Sequence, residues 1–256
     1  MNHIRTRLEA ATPVLGVRIR SFSPVMLELL GRVDVDYAYL DLEHGGFSPY
    51  DAISLHRMQM VADRAGVSLV VRTPGAAPSM VRKVLDAGIQ TIIIPRIETV
   101  AEVQAVMRAA HFEYEGTPGE RGFGSAPGNR WGVRPDGYTD AEDRNVLVGL
   151  MIETTAALED LQAIVGTTGV GFVKIGTGDL GVSLGVPQDE TAPRLTDAIG
   201  SIEAACRAAD VPLGCGVSDI SAAQEALDNG YLLVDIGGDA EIFVSTLSAR
   251  LRSLRR

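Results

Sequence analysis

Eight short apolar runs recur along this chain, and a segment with helical spacing separates each run from the next. The runs are rich in Val, Ile and Leu with little polar alternation, which is typical of parallel strands covered on both faces. Eight such strands alternating with helices predict a closed (β/α)8 barrel, with a doubly wound open sheet as the main alternative. We expect one domain over residues 1–256. The runs are residues 13–19, 36–42, 67–72, 90–95, 145–153, 169–176, 211–215 and 231–237.

The connecting segments carry recognisable helix signals. Thr99 is a predicted N-cap for the helix that precedes residue 111, and residues 154–166 predict one continuous helix with apolar side chains on a common face. Residues 112–144 form the one long irregular stretch. Loops of that length are often lids or binding loops.

Charge and composition exclude several classes of protein. The formal net charge is −10, and basic residues cluster only at the C-terminus, which argues against nucleic-acid binding. No apolar stretch approaches the ~18 residues that span a bilayer, and the N-terminus lacks a signal-peptide core. Cys206 and Cys215 lack metal-ligand spacing. We therefore expect two reduced thiols in a cytoplasmic protein.

Ionisable residues stand where four of the predicted strands end. Asp41 and His44 close the second strand, Arg72 the third, Glu153 the fifth, and a glycine-rich turn after the sixth leads to Asp179. Active sites of (β/α)8 barrels lie at the carboxyl ends of the strands. The sequence therefore predicts that these five side chains share one site.

Glu153 and Asp179 supply hard oxygen ligands from neighbouring strands. Two carboxylates, together with water and a bidentate substrate, suit an octahedral Mg²⁺ or Mn²⁺ site. The alternative is that both acids cap the helices that follow them. The turn through Gly176 and Gly178 leaves main-chain N–H groups free to bind a carboxylate or phosphate.

The remaining polar residues have roles suggested by their chemistry. His44 is a candidate general acid or base, and Asp41 is expected to hold its tautomer. Arg72 is a candidate fixed cation for an oxyanion that develops on the substrate. A structural ion pair at the barrel rim is the alternative for Arg72.

At these residues the chain resembles the HpcH/HpaI family of metal-dependent (class II) pyruvate aldolases. The resemblance implies a barrel of the phosphoenolpyruvate/pyruvate-binding type. It also implies reversible cleavage of a 4-hydroxy-2-keto acid to pyruvate and an aldehyde, through a metal-stabilised pyruvate enolate. The matching blocks, in order, are YLDLEHGGFS, VVRTPG, VRKVLDAGIQTIIIPRIET, RGFGS, MIET and KIGTGDLGVSLG.

The resemblance assigns a cation site and a carboxylate site. Glu153 and Asp179 fall where the family binds its divalent cation, which is expected to be Mg²⁺ or Mn²⁺, with Co²⁺ as a further candidate. The turn that meets the pyruvate carboxylate corresponds to Gly176, Thr177 and Gly178.

The resemblance also assigns catalytic residues and an assembly. His44 falls at the catalytic base, Asp41 at its partner, and Arg72 at the residue that binds the pyruvyl oxygens. Small-molecule substrates are the expected partners. A homotrimer or homohexamer is implied, with the C-terminal helices, about residues 239–256, exchanged between subunits.

Three residues depart from the family pattern. Met151 stands where Gln is usual, and Arg18 replaces a frequent Trp, which predicts an anionic aldehyde end for the substrate. Lys174 occupies a strand position that is normally apolar. Since burial of an unpaired ammonium is costly, Lys174 is expected to point into the barrel.

Lys174 leaves alternative functions open. It is expected to pair with Glu153 or Asp179, to compete with the cation, or to form a Schiff base as in class I aldolases. The alternatives are thus an imine-forming or metal-free aldolase, a citrate-lyase-like carbon–carbon lyase acting on an acyl-CoA, and a non-catalytic binding module.

Overall fold

The computed structural model describes residues 1–46, 48–114, 116–187 and 189–255. Its eight strands are all parallel and close into one barrel in sequence order, so the predicted barrel is confirmed and the open sheet is not observed. The strands are β1 Val14–Ile19, β2 Tyr37–Asp41, β3 Ser68–Arg72, β4 Thr91–Ile94, β5 Leu147–Ile152, β6 Val170–Ile175, β7 Leu213–Gly216 and β8 Leu233–Gly238.

Helices surround the barrel, and a 3-10 stretch at Pro127–Gly132 precedes α6. The helices are α1 His3–Glu9, α2 Pro24–Leu30, α3 Ala52–Ala65, α4 Pro78–Asp86, α5 Val100–Ala110, α6 Tyr138–Asn145, α7 Thr155–Glu159, α8 Leu161–Val165, α9 Thr177–Ser183, α10 Pro193–Ala208, α11 Ile220–Asp228 and α12 Asp239–Leu254.

Apolar side chains form two cores. The larger core lies between the strands and the helix layer. The continuous apolar runs predicted it, since they indicate strands that are covered on both faces. The smaller core fills the barrel interior and includes Ile4 and Leu8 of α1, which close the amino end of the barrel. Asn2 fixes α1, since its side chain caps the helix at Arg5 and donates to the main-chain oxygen of Asn145.

Two aromatic rings in the interior lie across glycines on neighbouring strands. Gly16 is in register with Tyr37, and a Cβ on Gly16 would lie 2.2 Å from the Tyr37 ring. Gly149 is in register with Phe172, and a Cβ there would lie 2.2 Å from the Phe172 ring. Because neither glycine has a side chain, the rings fill the middle of the barrel and leave the carboxyl end to polar groups.

Helix expectations are met in part. Thr99 caps α5 in a capping box with Glu102, as predicted. The single helix predicted over residues 154–166 is wrong, because the backbone is non-helical at Asp160 and divides the segment into α7 and α8. Asp is a poor helix former in an interior position.

The segment 112–144 is more regular than predicted. It contains the 3-10 stretch and the start of α6, and it packs against α4. Gly128 lies so close to α4 that a Cβ would be 2.0 Å from the main-chain oxygen of Leu85, and the Tyr138 hydroxyl donates to the oxygen of Gly128. The 3-10 stretch is therefore docked on the helix layer, and a role of the segment as a lid or binding loop stays a prediction.

The C-terminal helix α12 makes few contacts with the barrel. Among its described residues only Asp239 is buried, and it contacts mainly β1 and β8. Within the described ranges, no helix combines the length and apolarity needed to cross a bilayer. The apolar side chains that α12 exposes are Ile242, Phe243, Val244, Leu247, Leu251 and Leu254.

Candidate active site

A pocket of about 360 Å³ opens at the carboxyl end of the barrel. All ten residues that the sequence analysis singled out line it, so distant segments do converge on one mouth. A larger depression of about 700 Å³ lies at the amino end, and none of the ten lines it. The ten residues are Arg18, Asp41, His44, Arg72, Glu153, Lys174, Gly176, Thr177, Gly178 and Asp179.

Arg72 is held rigidly at the end of β3. Its Nε lies 2.9 Å from Oδ1 of Asp41 and its Nη2 lies 2.5 Å from Oδ2, while Nη1 lies 2.8 Å from Oε2 of Glu43. Burial acts to raise the pKa of Asp41, but the hydrogen bonds and charge of Arg72 outweigh it and hold this pKa below its usual value. The guanidinium therefore has one orientation, aimed at the pocket.

The expected pairing of Asp41 with the His44 ring is wrong in this structure. Both Asp41 oxygens accept from Arg72, and Oδ1 also accepts from the main-chain N–H groups of Glu43 and His44. The imidazole Nε2 instead lies 3.8 Å from Oε2 of Glu43, and the His44 side chain is 64% exposed at the mouth. Asp41 thus orients Arg72 and the local backbone, because a neighbouring guanidinium binds it more strongly than an exposed imidazole would.

Glu153 is buried directly after β5, with 1% of its surface exposed. Its Oε1 accepts from the main-chain N–H of Arg96, 2.8 Å away. Burial is the main cause that raises the pKa of Glu153 to about 7, and the charges of Glu43 and Asp179 add to it against the lowering effects of Arg96 and Arg72. This carboxyl therefore carries a charge that the protein itself does not fully compensate.

Gly176 makes room for that carboxylate. A Cβ at this position would lie 2.5 Å from Oε2 of Glu153, a distance that real side chains do not tolerate. Gly176 is the N-cap of α9, whose first turn contains Asp179. The first main-chain N–H groups of α9, at Thr177 and Gly178, have no acceptor within the helix, and both residues line the pocket.

The alternative that Glu153 and Asp179 are helix caps receives no support. The hydroxyl of Thr154, and not Glu153, caps α7 by accepting from the N–H of Ala157. The N-cap of α9 is Gly176, and no side chain caps that helix. Both acids are therefore available to a ligand in the pocket.

The donor set suits a divalent cation. Burial raises the pKa of Glu43, whose Oε2 is buried and, despite its closeness to Arg72, lacks hydrogen-bond geometry to any described group. Glu43 and Asp179 each add to the raised pKa of Glu153. In the part of the chain that the structure describes, no three acidic, His or Cys side chains converge as ligands. A cation on Glu153 and Asp179 would thus take its other ligands from water or substrate.

Lys174 points into the barrel, as predicted, but its partner is Asp235. The ammonium Nζ donates to Oδ2 of Asp235 at 2.7 Å and lies 5.4 Å from the centre of the Tyr39 ring. Tyr37 donates to Oδ1 of the same carboxylate at 2.6 Å. The expected pairing with Glu153 or Asp179 is therefore wrong. Sequence reasoning missed Asp235, although a lone Asp in the apolar run of β8 was a signal of the same kind as Lys174.

Two arginines at the end of β1 share one carboxylate. Nη2 of Arg18 lies 3.1 Å from Oε2 of Glu241 in α12, and Nη2 of Arg20 lies 3.5 Å from Oε1. Asp239 joins the same region because it accepts from the main-chain N–H groups of Arg20 and Ser21. Two guanidinium groups and two carboxylates, those of Glu241 and Asp239, therefore lie at this side of the mouth. Arg20 and Glu241 were not predicted.

Comparison with known proteins identifies relatives over nearly the full length. The sequence profile of the HpcH/HpaI aldolase/citrate lyase family matches residues 15–246. A 4-hydroxy-2-oxovalerate aldolase of Rhodococcus jostii (strain RHA1) is 33% identical over 250 residues, 97% of this chain and 94% of the relative. A 2-keto-3-deoxy-L-rhamnonate aldolase of Salmonella paratyphi B is 29% identical over 252 residues, 98% of this chain and 92% of the relative.

A solved structure is similar throughout. The HpcH/HpaI aldolase/citrate lyase family protein of Burkholderia cenocepacia J2315 superposes with a TM-score of 0.93 at 27% sequence identity, and the match covers 100% of both chains. The two chains therefore share the fold over their whole length.

Proposed function

Because the chain belongs to the HpcH/HpaI aldolase/citrate lyase family, we propose that it reversibly cleaves a 4-hydroxy-2-keto acid to pyruvate and an aldehyde. The predicted family, barrel fold and carbon–carbon lyase class are confirmed. The observation that carries the proposal is the meeting of an acid pair, Glu153 and Asp179, with the fixed guanidinium of Arg72 in one pocket.

Glu153 and Asp179 are the residues that would hold a divalent cation, with Mg²⁺ or Mn²⁺ as the first candidates and Co²⁺ as a third. The raised pKa of Glu153 and the acidic neighbours that contribute to it support this assignment. A bound cation would act as a Lewis acid that polarises the 2-keto group.

Arg72 supplies the second stabilising charge. Since Asp41 and Glu43 hold the guanidinium in place, it costs no reorganisation when negative charge develops on the 2-keto oxygen. The main-chain N–H groups of the 176–178 turn are proposed to bind the substrate carboxylate, which places the reacting end of the substrate deep in the pocket.

His44 is proposed as the general base at the mouth. In the cleavage direction it accepts the proton of the 4-hydroxyl, directly or through a water, as the C3–C4 bond breaks. The bonding pair passes to C3 and gives the enolate of pyruvate, while C4 leaves as the aldehyde carbonyl. In the reverse direction His44 returns the proton to the new hydroxyl. Its exposure suits a group that meets the variable end of the substrate.

We further infer an assembly and a location. The exposed apolar side chains of α12 support a homotrimer or homohexamer in which this helix packs on a neighbouring subunit. Cys206 and Cys215 are both free thiols, which supports a cytoplasmic location. The acyl-CoA alternative would need a cover from a long loop such as 112–144, but none of the described residues of that segment lines the pocket.

Exchange of the pyruvate methyl protons tests the proposal without knowledge of the aldehyde. In D₂O with Mg²⁺ or Mn²⁺, NMR should show deuterium entering pyruvate, and EDTA should stop it. The same protein should condense pyruvate with members of an aldehyde panel. Exchange that is undiminished after complete metal removal, or absent from the metal-loaded protein, would refute the proposal.

The variant His44→Ala tests the proposed role of His44 as general base separately from the role of the cation. We expect condensation to fall about 10²- to 10⁴-fold, the usual contribution of a general acid–base group. His3→Ala, which removes an exposed imidazole of α1, is the matched control and should retain full condensation.

A further inference from the structure

A buried chain of hydrogen bonds lies in the barrel interior, at the pocket that Glu153 and Asp179 also line. It runs from Lys174 to Asp235 to Tyr37, and both charged residues are at least 95% buried. An ammonium has three N–H donors. Within the described residues, Asp235 is the one hydrogen-bond acceptor recorded for Lys174, and both residues line the pocket. Lys174 therefore retains donors for a ligand.

This ion pair is not needed to fill the barrel. Burying two charges costs desolvation energy, and apolar residues of similar volume often replace such a pair without loss of stability. Apolar or aromatic side chains fill neighbouring interior positions, including Met151 and Tyr39. A pair kept at the pocket wall is better explained by a ligand than by packing.

The position of Lys174 indicates which part of a ligand it meets. Lys174 lies within β6, two residues before Gly176, which follows the strand end, and both line the pocket, so Lys174 lies deeper in the barrel. His44, the proposed base for the variable end, is at the mouth. The pyruvyl end is thus the part that reaches Lys174. Met151, its register neighbour on β5, has no N–H to offer a carboxylate.

We propose that Lys174 is a fixed cation that binds the carboxylate of the 2-oxo acid at the floor of the pocket, together with the main-chain N–H groups of the 176–178 turn. Asp235 acts as a positioning residue because it accepts from the ammonium, and Tyr37 in turn holds Asp235 in place. This inference rests on the proposed aldolase function and adds a binding residue to it. It also assigns Lys174 a binding role in place of imine formation.

Proton exchange of pyruvate at varied pyruvate concentration separates binding from chemistry. Lys174→Met should raise KM about tenfold or more, the usual loss when a charge-assisted hydrogen bond is removed, with a smaller change in kcat. Lys174→Arg should restore much of the affinity because it keeps the charge. Lys83→Met removes the chain's other lysine, which is exposed on α4, and should leave KM unchanged.

A second variant guards against misfolding. Lys174→Met leaves Asp235 buried without its partner, so the charge-balanced double variant Lys174→Met/Asp235→Asn is measured beside it, with unfolding temperature as the check on folding. The double variant should fold like wild type and keep the raised KM. A wild-type KM in the folded double variant would overturn the proposal.

Borohydride treatment in the presence of pyruvate provides an independent readout. The mass of the peptide containing Lys174 should remain unmodified, and a reduced pyruvyl adduct on Lys174 would overturn the binding role in favour of an imine. The same measurements distinguish failure of the proposed aldolase function from failure of the role given to Lys174. If the metal-loaded wild type exchanges no pyruvate protons, the aldolase proposal fails and this inference with it, whereas exchange with an unaltered KM in the variants refutes only the role of Lys174.

Discussion

Arg72 and Asp41 meet through two parallel contacts, Nε to Oδ1 at 2.9 Å and Nη2 to Oδ2 at 2.5 Å. The two residues are direct register neighbours on β3 and β2, so the sheet itself sets their separation. A two-pronged contact of this kind requires the planar fork of a guanidinium, which lysine lacks. The orientation of the Arg72 guanidinium in the pocket thus requires both an arginine at position 72 and a carboxylate at position 41.

Arg72→Lys should therefore impair the chemistry although it preserves the charge. We expect the rate of pyruvate proton exchange to fall about 100-fold, as when one donor to a developing oxyanion is lost. Exchange measured by NMR at saturating pyruvate checks this. Arg108→Lys changes an exposed arginine that pairs with Glu120 and should have no effect. An unaltered exchange rate in Arg72→Lys would contradict the role given to the guanidinium.

Glu153 should make the stability of the metal-free protein depend on pH. Its pKa is raised from an ordinary value of 4.5 to about 7 in the folded state, so between these values the folded protein binds more protons than the unfolded chain. Stability is fully present below pH 4.5 and falls as pH rises through 7. The loss is about 3 kcal/mol for a shift of this size. Chemical denaturation at pH 5, 6, 7 and 8 measures it.

Glu153→Gln serves as the reference for that measurement, since other groups also titrate in this range. The difference in unfolding free energy between wild type and variant should change with pH, because only wild type carries the titrating carboxyl of Glu153. Added Mg²⁺ or Mn²⁺ should stabilise wild type more at pH 8 than at pH 6, because it binds the carboxylate form. If the two proteins show parallel pH profiles, the buried charge on Glu153 is not the cause.

Gly176→Ala should weaken cation binding while the fold survives. The new methyl group would lie 2.5 Å from Oε2 of Glu153, so the carboxylate must move. We expect the Mn²⁺ dissociation constant, measured by calorimetry, to rise at least about tenfold, as is typical when metal-ligand orientation is disturbed. Gly200→Ala, in the open on α10, introduces the same methyl group without a close neighbour and should bind Mn²⁺ normally. Equal affinities in the two variants would refute the steric argument.

Charge on the apolar side of α12 should dissociate the proposed oligomer. Phe243 and Leu247 are exposed in the isolated chain and lie one turn apart. Phe243→Glu combined with Leu247→Glu should give a smaller species by analytical ultracentrifugation, because burial of two carboxylates in an interface is costly. Ser245→Glu places a carboxylate elsewhere on the same helix and should leave the mass unchanged. If the wild-type protein sediments as a monomer, the proposed homotrimer or homohexamer is refuted.

The strands and the site could be predicted from sequence for a physical reason. Burial on both faces leaves a local apolar signature in each strand, and the barrel gathers the residues at the strand ends regardless of their separation in sequence. Glu153 and Asp179 could thus be grouped before any coordinates. Their chemical roles stay predictions that the experiments above address.

Contacts that depend on register or on competition between partners were not predictable. Lys174 on β6 and Asp235 on β8 are 61 residues apart, and their side chains meet because both strands flank β7 in the sheet. Asp41 contacts the guanidinium of Arg72, its register neighbour in the sheet, and not the ring of His44, its neighbour in sequence. α6 was missed because its segment is strongly polar, so its helical period carries little apolar signal.

Gly16 and Gly149 have an effect beyond the packing of Tyr37 and Phe172. Each ring lies one layer below side chains that line the pocket, and it stays low only because the glycine opposite leaves it space. A methyl group at either glycine would occupy the space of an aromatic ring, which would have to move. The floor of the chamber therefore depends on two glycines that do not themselves line it.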